Sequence, residues 1–131
     1  MNRRLLIVAG ILGVTSVIFG AFGAHALKEL ITVEAQQTFE TGVRYQMYHA
    51  LLLLFVGHSV LISEKTKKWV LYLVVFGVLF FSGSIYGLAT DTLTTFNFKS
   101  IALITPVGGL LLILSWLSII RDLLKKNTKN D

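Results

Sequence analysis

The chain has 131 residues, of which 54% are hydrophobic and 15% are charged, and its formal net charge is +5. Soluble domains carry about 25% charged residues, and a domain this small buries only about 60–70% of its surface, so a water-soluble fold is excluded. The composition predicts one all-α domain, an integral membrane bundle of four transmembrane helices in the cell membrane. The basic residues stand beside apolar runs, which indicates membrane lipids rather than nucleic acid as partners.

The first predicted span covers residues 5–27. Residues 5–24 contain no charge and reach about 30 Å as a helix, the thickness of the hydrocarbon core. Arg3 and Arg4 before this run, with Ala24-His25-Ala26 after it, resemble the flanks of a cleavable signal peptide. The run exceeds the roughly 7–15 apolar residues of a signal peptide, which favours an uncleaved span.

The other spans are predicted over residues 46–62, 69–90 and 100–120. The second span is short, so we expect an amphipathic lead-in over 33–45 that is capped by Thr32 and bent at Gly42. In the last span, Pro106 favours a proline kink. The alternative is a helix that begins at Pro106 and turns its N-terminus toward an anion.

Lysine and arginine are distributed unequally between the two predicted sides. Nine of them fall with the termini and the central loop, and three fall on the other side. The positive-inside rule then predicts that both termini are cytoplasmic. Trp69, Tyr72 and Trp116 are expected near the inner boundary, and Tyr45, Tyr48 and Tyr86 near the outer one. The polar tail, residues 125–131, is expected to be mobile.

Small residues predict where the helices pack closely. Between helices in lipid, close packing matters more than the hydrophobic effect. The glycines with this predicted role are Gly13, Gly20, Gly23, Gly83, Gly87, Gly108 and Gly109. We interpret them as packing within one bundle, and the alternative is a homo-oligomer interface.

Polar residues gather toward the predicted outer end, where they are candidates for a binding site. The candidates are His25, Arg44, Tyr45, Tyr48, His49, Tyr86, Asp91, Thr105 and Pro106. On a helix, Arg44 with Tyr48 and Tyr45 with His49 are i,i+4 pairs that share a level. Asp91 is a natural partner for Arg44 or Lys28. The alternative interpretation is a belt of side chains that anchor the protein in the interface.

Four ordered segments resemble the signatures of a known family. They are GAFGAHALK at 20–28, RYQMYHAL at 44–51, FSGSIY at 81–86, and ITPVGG at 104–109 with Trp116 beyond it. The chain is thereby similar to the family catalogued as domain of unknown function 423, which includes the bacterial YgdD and YwdK membrane proteins and the eukaryotic transmembrane protein 256. The resemblance implies a four-span inner or plasma membrane protein. It implies no reaction, because the family's activity is not established.

The functional hypothesis is a non-enzymatic membrane component that binds a lipid headgroup, a small anion or a partner helix at the outer leaflet. The alternative is a subunit of an oligomeric transporter or channel, which would need a dimer and lacks a carboxylate within any predicted span. No motif predicts catalysis or a metal site. His25 and His49 could flank a haem, but structural histidines are commoner, so no cofactor is predicted.

Overall fold

The computed structural model describes residues 2–95 and 102–130, the last five of these by their backbone alone, and within those ranges it contains helices and no strand. The helices are α1 (Arg3–His25), α2 (Val33–His58), α3 (Glu64–Val78), α4 (Ser84–Ala89) and α5 (Ile104–Asn130). A π-helical segment, Leu79–Gly83, joins α3 to α4, and short 3-10 turns cover Leu27–Glu29 and Asp91–Leu93. The predicted all-α membrane bundle is confirmed.

Three segments are long and apolar enough to cross a membrane: Arg3–Glu29, Glu64–Ala89 and Ile104–Lys125. The remaining long helix, α2, has 26 residues, which correspond to about 39 Å. It carries the charged residues Glu34, Glu40 and Arg44 in its first half, and these lower its hydropathy. The sequence likewise predicted that the second span has the shortest apolar run.

Side-chain caps fix where three helices begin. Asn2, Thr32 and Ser63 each have extended backbone and accept a hydrogen bond from the amide three residues ahead. Such a cap satisfies one of the four N–H groups that a helix start leaves without an intrahelical partner. The cap at Thr32 was predicted. The predicted lead-in over 33–45 is the first half of α2, which runs from Val33 to His58 without interruption.

The π-helical segment inside the third span is a feature that the sequence did not predict. Ser82 is fully buried and donates to the carbonyl of Gly42 on α2 at 2.7 Å. Ser84 lies 2.5 Å from the hydroxyl of Thr105 on α5. Ser82 in this segment and Ser84 at the start of α4 are thus directed toward two different helices, although they are only two positions apart.

The start of α5 differs from the favoured prediction of a kink at Pro106. The helix begins at Ile104, so Pro106 is its third residue. The first four N–H groups of a helix have no intrahelical acceptor, and proline therefore costs no backbone hydrogen bond there. At the other end, α5 continues as helix through the predicted tail to Asn130. Residues 100, 101 and 131, which belong to predicted segments, lie outside the described residues.

The core has two parts. The larger cluster joins α1, α2, α3 and α5, and its fully buried members are Leu5, Leu53, Val56, Val70 and Val74. A smaller one contains Leu27, Phe39 and Ala89. By contrast, one face of α1 is exposed along most of its length, at Ile7, Ile11, Val14, Val17 and Ile18. An exposed apolar face of this kind suits contact with lipid or with another protein surface.

Four of the predicted packing glycines lie close to side chains or backbone from other parts of the chain. A Cβ added at Gly23 would lie 2.8 Å from the ring of Phe39, and one at Gly108 would overlap the backbone of Phe80 and Phe81. Gly20 and Gly109 are in ordinary contact with Val43 and Phe81. Gly87 is half-buried in α4.

Gly13 and Gly83 differ from the prediction. A Cβ at either position would meet nothing within 4 Å, so neither glycine allows a close approach between helices of this chain. Three glycines outside the predicted set do so instead. An added Cβ would lie 2.7 Å from the Tyr86 ring at Gly42, 3.0 Å from Leu5 at Gly57 and 2.6 Å from Leu112 at Gly77.

Candidate functional site

Gln46 forms the centre of a polar network in the middle of the bundle. Its side chain is buried, and its Nε2 donates to the carbonyl of Leu12 at 3.0 Å and to the Thr15 hydroxyl at 2.6 Å. Its Oε1 accepts from the Tyr86 hydroxyl at 2.6 Å. One amide group thus connects α1, α2 and α4.

His49 connects α2 to α5, one turn further along. The Nε1 of Trp116 donates to His49 Nε2 at 3.1 Å. Because an indole N–H can only donate, His49 Nε2 must be unprotonated, and the ring proton lies on Nδ1, which donates to the Tyr45 carbonyl at 2.6 Å. His49 is therefore neutral. The predictions that placed His49 near the outer boundary and Trp116 near the inner one cannot both hold, because this bond puts both rings at one level.

Serine hydroxyls add further links between the helices. Ser16 is buried on α1 and donates to the Val43 carbonyl of α2 at 2.9 Å. The contacts of Ser82 with Gly42 and of Ser84 with Thr105 connect the third span to α2 and α5. Within the described part of the chain, no buried side-chain nitrogen or oxygen lacks a hydrogen-bond partner.

The network contains residues that sequence reasoning missed, among them Thr15, Ser16, Gln46 and Ser82. Gln46 carried a usable signal, since an amide inside an apolar run is costly unless it has partners. Ser and Thr gave no comparable signal, because in a helix their hydroxyls can bond to the preceding turn. Ser115 does so here, donating to the Leu112 carbonyl at 2.6 Å.

Arg44, Tyr45 and Tyr48 form an exposed surface on α2, which we term the α2 shelf. The two tyrosine rings lie 5.6 Å apart between centroids, and Tyr45 also packs against Phe81 at 4.9 Å. Tyr45 is 39% exposed and Tyr48 51% exposed. Arg44 is exposed and donates to the Thr41 hydroxyl on its own helix at 3.2 Å. The predicted grouping of Arg44, Tyr45 and Tyr48 on one helix is therefore present.

The other predicted site residues do not join one cavity. His25 is exposed at the end of α1, and Pro106 is exposed on the first turn of α5. Tyr86 and Thr105 are half-buried within the polar network, bonded to Gln46 and Ser84. Asp91 begins a 3-10 turn.

The suggested pairing of Asp91 with Arg44 or Lys28 is not observed. The ion pair described for residues 2–95 and 102–125 joins Lys67 to Glu64. Arg44 bonds to the hydroxyl of Thr41 one turn earlier, which a guanidinium can reach without leaving its own helix.

A second polar region lies at the end of the bundle where the N-termini of α1 and α3 meet the C-terminal halves of α2 and α5. We term it the basic end, after Arg3, Arg4, Lys65, Lys68, Arg121 and Lys125. Lys67 is also there, only 1% exposed. Its Nζ lies 3.5 Å from the carbonyl of Gly57 and 3.6 Å from a carboxylate oxygen of Glu64. An ammonium at the C-terminus of α2 is favourable for the helix dipole.

Asp122 connects α5 to the start of α3 in the same region. One carboxylate oxygen accepts from the amide of Ser63 at 2.9 Å, and the other accepts from the hydroxyls of Ser63 and Thr66, each at 3.0 Å. A carboxylate at a helix N-terminus interacts favourably with its unpaired N–H groups and its dipole. This contact fixes the ends of α3 and α5 against each other. The sequence indicated only that Asp122 was a loop or flanking acid.

Comparisons with known proteins identify the family. A family model described as "Protein of unknown function (DUF423)" matches residues 19–109. The chain is 36% identical to the UPF0382 membrane protein YwdK of Bacillus subtilis over 123 residues, covering 90% of this chain and 94% of that protein. It is 36% identical to the UPF0382 inner membrane protein YgdD of Escherichia coli over 118 residues, covering 88% and 85%.

A UPF0382 membrane protein of Staphylococcus saprophyticus is 41% identical over 104 residues, covering 77% of this chain and 80% of that protein. No solved structure matches the chain. The family model covers the motifs at 20–28, 44–51, 81–86 and 104–109. The description of the relatives as membrane proteins agrees with the helical bundle. The protein belongs to the UPF0382 family of membrane proteins, whose function is unknown.

Proposed function

We propose that this protein is a non-enzymatic, four-span component of the cell membrane that binds the phosphate headgroup of an anionic lipid of the outer leaflet on the outer half of α2, with the long Arg44 side chain reaching toward the interface. The α2 shelf carries the proposal. Arg44 is exposed beside two half-exposed tyrosine rings. A guanidinium binds phosphate through several N–H groups at once, and tyrosine favours the interface between headgroups and hydrocarbon.

The interior of the bundle supports a non-catalytic role. Gln46, Tyr86, His49 and Trp116 bond to one another or to backbone carbonyls across the helices. A catalytic base or nucleophile needs access to a substrate. These groups are engaged in holding the helices together. Because these side chains are hydrogen-bonded across the bundle, they do not support an open path for a transported solute. We therefore do not propose the transporter alternative.

Four spans with both termini in the cytoplasm are part of the proposal. In this topology α2 is the second span, which its polar residues make the least apolar. The excess of lysine and arginine at the basic end supports a cytoplasmic location for that end. The inner-membrane location printed for the Escherichia coli relative is in keeping with it.

The topology can be tested by labelling, because the chain has no cysteine of its own. Thr32→Cys introduces a thiol between α1 and α2, and Val60→Cys introduces one in the loop after α2, where Val60 is 87% exposed. A membrane-impermeant maleimide added to intact cells is expected to label Thr32→Cys and spare Val60→Cys. The reverse pattern would overturn the orientation, and labelling of both would overturn the four-span topology.

The lipid proposal is tested by native mass spectrometry of protein released from nanodiscs containing equal amounts of phosphatidylglycerol and phosphatidylcholine. Arg44→Gln is expected to weaken one resolved phosphatidylglycerol-binding step about fivefold, in keeping with one lost cation near a charged surface. Lys28→Gln removes the same charge from an exposed position near the end of α1 and serves as the matched control. Unchanged lipid retention in Arg44→Gln, or an equal loss in both variants, would overturn the proposal.

A further inference from the structure

A cavity of about 450 Å³ lies between α3 and α5 at the basic end. Lys65, Arg121 and Lys125 line it near the helix ends, and Trp69 and Leu73 line it toward the middle of the bundle. Leu73 is about 14 Å along the helix from the start of α3. The walls therefore change from basic to apolar within about 14 Å, roughly the hydrocarbon depth of one leaflet.

The charge of the cavity is positive. The three cations share it with one carboxylate, that of Asp122. Both oxygens of that carboxylate accept hydrogen bonds from Ser63 and Thr66 at the start of α3. Asp122 therefore already occupies the anion position at this helix N-terminus, and a ligand would interact with the cations at the opening.

We infer that this cavity, which we term the α3–α5 pocket, binds an anionic phospholipid, with its phosphate between Lys65, Arg121 and Lys125 and its acyl chain along Trp69 and Leu73. Phosphate is the group that three converging cations recognise best. A free phosphate ion would use only the outer part of the pocket. The apolar inner walls favour an amphipathic ligand, and basic pockets between membrane helices are a known form of lipid headgroup site.

This site lies at the basic end, shares no residue with the α2 shelf and does not depend on it. Lipid at the α3–α5 pocket would bridge two helices whose mutual contact includes the Asp122 bonds. If the basic end is cytoplasmic, as proposed, the pocket opens to the leaflet in which anionic lipids are enriched.

Trp69 provides a direct probe of this pocket, because it lines the pocket and the protein has only one other tryptophan. In a Trp116→Phe background, the emission of Trp69 is recorded in nanodiscs containing chain-brominated phosphatidylglycerol or chain-brominated phosphatidylcholine at the same mole fraction. Brominated phosphatidylglycerol is expected to quench Trp69 more strongly. Equal quenching by the two lipids would overturn the inference.

The variant that tests the cations is the double substitution Arg121→Gln with Lys125→Gln. Its relative affinity for the anionic lipid is expected to fall by about fivefold for each cation removed. The matched control is Arg3→Gln with Lys68→Gln, which removes the same two charges from exposed positions at the same end outside the pocket. An equal fall in the control would mean general attraction to the surface and would overturn a specific site.

Soluble phosphate is distinguished from lipid by competition. Potassium phosphate added at the ionic strength of a potassium chloride control is expected to leave the quenching unchanged, and displacement of the lipid by phosphate alone would overturn the assignment to a phospholipid. If Trp116→Phe loosens the bundle, native mass spectrometry of the Arg121→Gln/Lys125→Gln and Arg3→Gln/Lys68→Gln variants gives the same comparison without it. The Arg44→Gln variant is expected to keep the stronger quenching of Trp69 by brominated phosphatidylglycerol. The two proposed lipid sites can therefore be confirmed or overturned independently.

Discussion

The middle of the bundle and its basic end use polar side chains in opposite ways. In the middle, neutral groups such as Gln46, Tyr86 and Trp116 bond across helices, and Gln46, which makes most of these bonds, is buried. At the basic end most cations are exposed, and the two charges that turn inward, Lys67 and Asp122, meet the ends of helices. Hydrocarbon tolerates polar groups only when they are satisfied within the protein, whereas the interface solvates charge.

This difference separates what holds the protein together from what it presents to other molecules. Substitutions in the middle should lower stability and leave ligand binding intact. Substitutions of exposed cations should lower ligand binding and leave stability intact. Four changes test the structural half of this contrast.

Gly108→Ala is expected to have the largest effect. A Cβ at this position would overlap the backbone nitrogen of Phe81, and backbone cannot move aside as a side chain can. Thermal unfolding in detergent should show a loss of about 3 kcal/mol, at the upper end for overpacking. Gly83→Ala is the control, because a Cβ there meets nothing within 4 Å, and it should be neutral or slightly stabilising. Equal stability of the two variants would contradict the close approach of α5 to the third span.

Gln46→Leu should have the next largest effect. It removes bonds to Leu12, Thr15 and Tyr86, and we expect a loss of about 1–2 kcal/mol in unfolding free energy. Gln37→Leu, at an exposed position of the same helix, is the control. A double-mutant cycle with Tyr86→Phe should give a coupling energy clearly above zero, and additive effects would contradict the bond between the two side chains.

Trp116→Phe should cost about 1 kcal/mol, a typical value for one hydrogen bond between membrane helices together with lost packing. The same bond fixes the tautomer of His49. Solid-state ¹⁵N NMR is expected to find a neutral ring protonated at Nδ1, with an Nε2 shift that changes in Trp116→Phe. A ring protonated at Nε2 would be incompatible with the indole as donor.

Lys67→Met should have the smallest effect, about 0.5 kcal/mol, from the lost interaction with the C-terminus of α2. Methionine retains most of the packing volume, and the Gly57 carbonyl keeps its bond from the amide of Asn2 at 2.8 Å. Glu64 is 70% exposed and contributes little to the pair. Lys68→Met, at an exposed position, should be neutral in chemical denaturation. A loss above about 2 kcal/mol for Lys67→Met would mean that the ammonium has a stronger role than a helix-end contact.

The fold was predictable to the extent that it follows from length and hydropathy. The long uncharged runs indicated the helices, and Thr32 marked the start of α2. The π-helical segment Leu79–Gly83 was not predictable, because it coincides with long-range contacts, the close approach of Gly108 and the bonds of Ser82 and Ser84, which sequence spacing does not show. Pro106 was compatible with a kink or with a helix that begins at Pro106, and the observed start at Ile104 matches neither, since it places Pro106 third in the first turn.

The candidate site was predictable in part. Arg44, Tyr45 and Tyr48 share a surface, as helical periodicity requires. His49 was predicted as a candidate binding residue, but its partner Trp116 is 67 positions away in sequence, and no local pattern connects them. The inward orientation of Lys67 was likewise hidden, since a lysine beside Lys65 and Lys68 looks like one more interfacial cation.

The most direct test of the contrast compares Gln46→Leu with Arg44→Gln, two positions apart on α2, by thermal unfolding and by native mass spectrometry of bound phosphatidylglycerol. Gln46→Leu is expected to lower the unfolding temperature and keep the lipid. Arg44→Gln is expected to keep the unfolding temperature and lose lipid. Loss of lipid in Gln46→Leu at a temperature where it remains folded, together with retention in Arg44→Gln, would contradict the division between a structural interior and a binding surface.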